Sequence, residues 1–276
     1  GRKRKRREYR LEGWIFKYLY YLNLPARPPT KMFLLQLYQQ HLACIPYEVT
    51  SKFIYAQTKR YIPTTEEFVR NLVERNWGGN CYILNIQFMR LLHVLGFQGF
   101  LVEVTPGHIA IIVTIDKQDY FVDVGYGAPL NQLVPIQAGT WTRIICGERI
   151  IIKQTNKNQF QYDRIYKGSV FVSKTIFVKP IGEEDVQADI EASFRDIEGN
   201  VFMRRISMAL TTENMYLWVR NNRVTIRTDH KEEILEYTSS GEWIDAIHQR
   251  FGLRKEDLQW TIDYLKQRNV DVGFTR

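Results

Sequence analysis

Residues 75–85, Arg-Asn-Trp-Gly-Gly-Asn-Cys-Tyr-Ile-Leu-Asn, constrain this chain more than any other stretch. Two glycines and one further residue lead to Cys81, and from Tyr82 to Leu95 the chain is apolar on nearly every face. A helix with that pattern has no solvent side, so it is expected at the centre of the molecule. Cys81 then opens the helix, where unpaired backbone N–H groups and the positive end of the dipole favour a thiolate. The glycines permit a tight turn and close approach of a substrate to the backbone. Cys81 is therefore a candidate nucleophile that needs a base.

At 276 residues the chain has room for one large domain or two to three small ones with ample core. Hydrophobic content of 45% with 25% charged residues describes a soluble globular protein, expected to be cytoplasmic. No stretch approaches the ~18–20 apolar residues of a membrane span, and no secretory signal is expected. Cys44, Cys81 and Cys146 are widely spaced and odd in number, which fits free thiols in a reducing compartment. Cys44 and Cys146 read as small core residues. Without a Cys-x-x-Cys or His-x-x-x-His pair, no metal site is expected. The net charge of +8 is concentrated in Arg2–Arg7; without those six cations about +2 remains. That run reads as a solvated, mobile terminus, although it could also bind anions, nucleic acid or an acidic membrane.

The spacing of Leu11, Ile15, Tyr18 and Leu22 predicts a helix over 8–22, stopped by Pro25–Pro29. Thr30 caps a second helix with Phe33, Leu34, Leu37, Tyr38 and His41 on one face. Thr64-x-x-Glu67 is a capping-box pattern opening a third, with Phe68 and Leu72 on its apolar side. After Gly96 and Gly99 the period changes. Strands are predicted over 98–104, 108–113, 120–124, 143–145, 149–153, 160–165 and 170–178, a spacing that fits an antiparallel barrel or curled sheet. Residues 183–194 read as a short helix or a long connection. Strands follow over 201–210, 215–219 and 223–228, the last two joined by a turn at Asn221-Asn222. Ser240 is expected to cap a helix carrying Trp243, Ile247 and Phe251 and ended by Gly252, and residues 256–268 form a final amphipathic helix.

Of the five histidines, His108 alone stands at a strand start, after Thr-Pro-Gly. Asp123 follows in Tyr-Phe-Val-Asp-Val-Gly-Tyr-Gly. A hairpin folded about Ile115-Asp116 places the two opposite one another on the same sheet face, ~5 Å apart at Cβ. The carboxylate would fix the imidazole tautomer and stabilise the imidazolium. An aspartate in an apolar strand also needs such a partner, because an unpaired buried charge is costly.

Trp-Gly-Gly-Asn-Cys-Tyr-Ile-Leu-Asn, His108 and Val-Asp-Val-Gly-Tyr-Gly together resemble the arylamine N-acetyltransferase family. Its pattern is Arg-Gly-Gly-x-Cys-x-Glu-x-Asn, a later His, and Val-Asp-Val-Gly-Phe-Gly. Ile45-Pro46-Tyr47-Glu48 resembles its Val/Ile-Pro-Phe-Glu segment, and Arg250-Phe-Gly-Leu its C-terminal Phe-Gly stretch, so the likeness spans about residues 9–255 of a divergent, bacterial-type member. The resemblance implies an α+β, papain-like architecture: a helical bundle over 8–96 carrying Cys81, an antiparallel β-barrel over 97–200 carrying His108 and Asp123, and an α/β lid over 201–276. It implies ping-pong acetyl transfer from acetyl-CoA through acetyl-Cys81 to an arylamine, arylhydroxylamine or hydrazine, a role in xenobiotic metabolism, and no metal, membrane or nucleic-acid partner. Asn85 is expected to orient Asp123, and Thr105, Pro106 and Gly107 to lie near CoA. Tyr47, Tyr126 and Phe202 flank the motifs and are candidate acceptor-pocket walls.

Two departures stand out: Trp77 replaces the family's Arg, and Ile83 its Glu. Glu48 then needs a new partner, and Arg75 is the candidate. The Thr105-Pro106-Gly107 loop is also shorter than the family's glycine-rich loop, so CoA is expected to draw on lid Arg and Lys residues. Two rivals remain at this stage: a Cys-His-Asp hydrolase or amide-forming enzyme with a dedicated acceptor, and a binding protein that uses the basic run.

Overall fold

The computed structural model describes residues 13–275. The basic run Arg2–Arg7 and the first residues of the helix predicted from Glu8 lie outside the described residues. Five helices come first among the described residues: α1 Trp14–Tyr21, α2 Lys31–Cys44, α3 Thr50–Thr58, α4 Thr65–Arg75 and α5 Cys81–Val94. Two of the caps read from the sequence form, with Thr30 accepting from the Phe33 N–H and Thr64 from the Glu67 N–H. Helix α5 is buried over almost its whole length, as an all-round apolar pattern demands. Helix α3 was not anticipated. Its buried side includes Thr50, Ser51 and Lys52, so hydrophobic periodicity carries no trace of it.

Eight strands follow: β1 Gln98–Thr105, β2 His108–Ile115, β3 Gln118–Val122, β4 Val134–Pro135, β5 Thr140–Ile145, β6 Glu148–Asn156, β7 Gln159–Tyr166 and β8 Ser169–Ile181. They form one antiparallel sheet in the order β4-β3-β2-β1-β8-β7-β6-β5, curled around Ile112, Phe121, Trp141, Ile150, Phe160 and Ile176. Alternate residues of β1–β3, including Leu101, Ile109, Ile111 and Val122, belong instead to the main core, which holds α5. The helix that begins at Cys81 is thus pressed onto the strands that carry His108.

After a short 3-10 turn at Glu183–Val186, α6 spans Gln187–Phe194. A second sheet, β9 Ser207–Thr211, β10 Tyr216–Arg220, β11 Arg223–Arg227 and β12 Glu232–Glu236, runs in the order β12-β11-β10-β9. The strand expected over 201–210 begins only at Ser207, because Val201–Met203 form a 3-10 turn. The Asn221-Asn222 turn forms, with Asn221 at positive φ. Strand β12 has too little apolar character to be read as one; it pairs its glutamates with arginines, Arg223 opposite Glu236 and Arg227 opposite Glu232. Two helices close the fold, α7 Ser240–Phe251 and α8 Lys255–Gln267. The α7 cap is Ser239 rather than Ser240, and Gly252 ends that helix at φ +73°. Tyr47 bridges to both Gly79 and Ala209, joining the Cys81 turn to the second sheet.

Candidate active site

Helix α5 begins at Cys81, and the Asn80 side chain caps it by accepting the Ile83 N–H at 3.0 Å. The N–H groups of Cys81 and Tyr82 have no hydrogen-bond partner among the described residues. Both glycines before Cys81 sit where a side chain would collide. A Cβ on Gly78 would overlap the Pro46 carbonyl, and Gly79 holds φ at +148° against Ile83. The Cys81 side chain is half-buried, with its sulfur 4.0 Å from the Gly107 carbonyl oxygen in the β1–β2 turn.

His108 and Asp123 come together with Nε2 to Oδ2 at 2.5 Å and both side chains buried. The route differs from the one expected. The hairpin turns at Asp116 and Lys117, both at positive φ, and Ile111 pairs with Val122. Continuing that register puts Asp123 opposite Ala110, so His108 is its diagonal neighbour on the same face rather than its direct partner.

Three further hydrogen bonds fix Asp123 and its loop. Asn85 Nδ2 and the Gly125 N–H donate to Oδ1 at 3.0 and 2.9 Å, and the Val124 N–H donates to Asn85 Oδ1. Asn85 also donates to the Cys81 and Ile109 carbonyls, tying helix, strand and loop together. Gly125 has no room for a side chain: a Cβ there would lie 2.8 Å from the Cys81 Cα.

Burial alone would depress the His108 pKa. The Asp123 charge and hydrogen bond, with a further contribution from the Cys81 sulfur, outweigh it and lift the value to about 9. Nε2 is taken by Asp123, which leaves Nδ1 for the sulfur. An imidazolium held between a carboxylate and a thiol is the arrangement that turns a cysteine into a nucleophile.

Cys81 and His108 line an open cavity of about 620 Å³, with Asp123 buried behind the imidazole. Tyr47, Tyr126 and Phe202 line it, as do Pro106 and Gly107, whereas Thr105 is not among its lining residues. Tyr126 packs on the His108 ring at 4.9 Å between centroids. The cavity also holds Lys52, Arg164, Lys174, Arg205 and Arg220, none of which sequence reasoning singled out. They come from α3, β7, β8, the segment before β9, and β10, and no local motif joins them.

The expected Arg75–Glu48 pair is not formed. Arg75 lies over the Trp77 ring at 4.7 Å, with Asp257 as its distant ion partner at 4.0 Å. Trp77 fills buried space beside Tyr55 and donates its indole N–H to Asp257 at 3.0 Å. Glu48 is fully buried and is held by the Ser51 N–H and hydroxyl at the start of α3. Burial outweighs those hydrogen bonds and pushes its pKa up to about 7. Among the described residues, no group of three or more His, Cys, Asp or Glu side chains is placed to hold a metal ion, and no helix is long and apolar enough to cross a membrane.

Cys81, His108 and Asp123 come together where the helical bundle joins the curled antiparallel sheet, an α+β architecture that known proteins share. A sequence profile described as N-acetyltransferase matches residues 32–259. The chain belongs to the arylamine N-acetyltransferase family. Proansamycin X synthase of Amycolatopsis mediterranei is 26% identical over 231 residues, covering 71% of this chain and 83% of that protein. The arylamine N-acetyltransferase of Mycobacterium marinum, solved in complex with CoA, superposes with a TM-score of 0.78 at 17% identity, covering 91% of this chain and 99% of that one. The Mycobacterium smegmatis enzyme gives 0.77 at 20%, covering 93% and 97%.

Proposed function

We propose that the protein transfers an acetyl group from acetyl-CoA to an arylamine, arylhydroxylamine or hydrazine by a ping-pong route through acetyl-Cys81. One observation carries this reading: Cys81 opens a buried helix beside an imidazole whose far nitrogen is fixed by Asp123, inside a cavity with aromatic walls. The Cys81 thiolate attacks the thioester carbonyl, and the oxyanion is met by the free N–H groups of Cys81 and Tyr82. The C–S bond to CoA breaks, and His108 gives its proton to the departing thiolate. An amine then attacks acetyl-Cys81 and loses a proton to His108, and the Cys81 thiolate leaves with the new amide released.

Pro106, Gly107 and Thr105, with Lys174 bonded to the Pro106 carbonyl at 2.6 Å, form the lip assigned to the CoA arm. Tyr47, Tyr126 and Phe202 are assigned to the acceptor. The division into units at 8–96, 97–200 and 201–276 is kept as part of this proposal. The setting that suits a working Cys81 is a reducing cytoplasm, where the thiol stays free. A second reading, an acyl transfer to one dedicated amine, is favoured by the similarity to a synthase.

Intact-protein mass after mixing with acetyl-CoA tests the route. One acetyl adduct is expected on the wild type, discharged by an arylamine, and none on Cys81→Ala. An adduct that persists on Cys81→Ala, or acetyl-CoA turnover without any adduct, would overturn the ping-pong assignment.

A further inference from the structure

Lys52 is only 4% exposed, yet it lines the cavity that holds Cys81. It makes no hydrogen bond or ion pair among the described residues; its neighbours are the rings of Phe194 and Phe202, at 5.7 and 5.9 Å. Arg205 joins it from the segment before β9. It stacks on Phe202 at 4.6 Å, and its buried Nε has no partner among the described residues. Arg220 approaches from the end of β10, over Trp218. The other arginines at this cavity are different: Arg164 pairs with Glu148, and Arg227 with Glu148 and Glu232. No aspartate or glutamate is among the residues lining the cavity.

A buried ammonium without a counter-ion is costly, and a carboxylate supplied by the protein would remove the cost. Burial lowers the Lys52 pKa to about 8, with the charge on Cys81 acting against that and Arg205 adding to it. Lys52 and Arg205 both lie over the Phe202 ring, and both line the cavity that holds Cys81. An acylated sulfur carries no charge, so the acceptor meets a site with excess positive charge. The CoA phosphates are poor candidates for Lys52, because the whole pantetheine arm separates them from the thioester.

We propose that Lys52 and Arg205 form a carboxylate subsite, so that the molecule processed at Cys81 carries an acidic group. This rests on the acyl-transfer reading above and names its substrate class. The carboxylate belongs either to the aromatic amine, as in an aminobenzoate, or to the acyl group of the donor, as in the CoA monothioester of a dicarboxylic acid. Charge-assisted hydrogen bonds to buried Lys and Arg would hold it, and a neutral carboxamide of the same shape would leave the two cations unpaired.

Binding is read first on Cys81→Ala protein, by calorimetric titration with 4-aminobenzoate and 4-aminobenzamide, which needs no acyl transfer. The carboxylate is expected to bind about tenfold or more tightly than the amide. Lys52→Met should bring the two within about twofold, whereas Lys52→Arg should keep the preference. Arg205→Gln, at a half-buried position, should weaken the carboxylate selectively and carries the test if Lys52→Met does not fold. The second arm loads wild-type Cys81 with acetyl-CoA or succinyl-CoA and follows the adducts by mass. Faster succinyl loading that Lys52→Met or Arg205→Gln abolishes would place the carboxylate on the donor. Equal binding of benzoate and benzamide together with equal loading by the two donors overturns the proposal. Failure of the acetyl-transfer reading shows separately, as the absence of an acetyl adduct while the titration result stands.

Discussion

Two buried carboxylates, Asp123 and Glu48, lie on either side of the Cys81 turn and meet burial in opposite ways. Asp123 has a cationic partner in His108 and two N–H donors on its other oxygen. Among the described residues Glu48 has only Ser51 and the first turn of α3, and Trp77 stands where the family resemblance implied an arginine. The first acid raises the pKa of its neighbour. The second holds its proton until about pH 7. Burial by itself therefore says little about an acid; the donor set decides whether it serves chemistry or packing.

Breaking the Asp123 side should have the largest effect. Asp123→Asn removes the charge that sustains the imidazolium, leaving burial to dominate at His108. Acylation of Cys81 at pH 7 should fall by about 10³–10⁴-fold, as seen when the acid of a comparable triad is neutralised. Stopped-flow release of CoA reads this directly. The pH–rate profile should also lose the limb that His108 sets near 9.

This half of the comparison was legible in the sequence. Cys81, His108, Asp123 and Asn85 lie in short motifs whose local chemistry announces them, and strand alternation alone put the acid and the imidazole on one face. The cationic wall was not legible, since Lys52, Arg164, Arg205 and Arg220 converge from four separate elements. Helix α3, which brings Lys52, buries polar side chains, and a periodicity search looks for apolar ones. Arg75 was chosen as the partner of Glu48 by nearness in sequence, but the stacked Trp77 ring draws it toward Asp257.

The Glu48 side should appear in stability rather than rate. Its folded pKa of about 7 lies above the usual 4.5, so the folded state binds the extra proton between those values. Stability is fully retained below about pH 4.5 and is lost as pH rises through 7, by about 3 kcal/mol in all. Glu48→Gln should abolish that slope, being more stable than wild type at pH 8 and nearly equal at pH 5. Urea denaturation at the two pH values reads it; a wild-type stability that does not fall with pH would mean Glu48 is charged throughout.

Gly125→Ala sharpens the Asp123 side from the backbone. The added methyl would press on the Cys81 Cα and carbonyl at 2.8 and 2.9 Å, so the loop or the helix start must move. Overpacking of this kind costs about 1–3 kcal/mol, and here it displaces Cys81 as well. Thermal denaturation and the acylation rate should both fall, the rate disproportionately. A variant that keeps the full rate would show that the Cys81 turn yields freely.

Arg75→Ala should do least, and it separates the two acids most cleanly. The Arg75 side chain is 39% exposed, its ion pair with Asp257 spans 4.0 Å, and its remaining contact is the face of Trp77. A partly exposed pair and one cation–π contact together contribute no more than about 1 kcal/mol. Neither touches Glu48, so the variant should lose that small amount equally at pH 5 and pH 8 and keep the acylation rate. A guanidinium that did stabilise the Glu48 carboxylate would behave otherwise: its removal would steepen the loss of stability with rising pH. The slope of urea-derived stability against pH, rather than its value at any one pH, therefore decides whether Trp77 has left Glu48 without a cation.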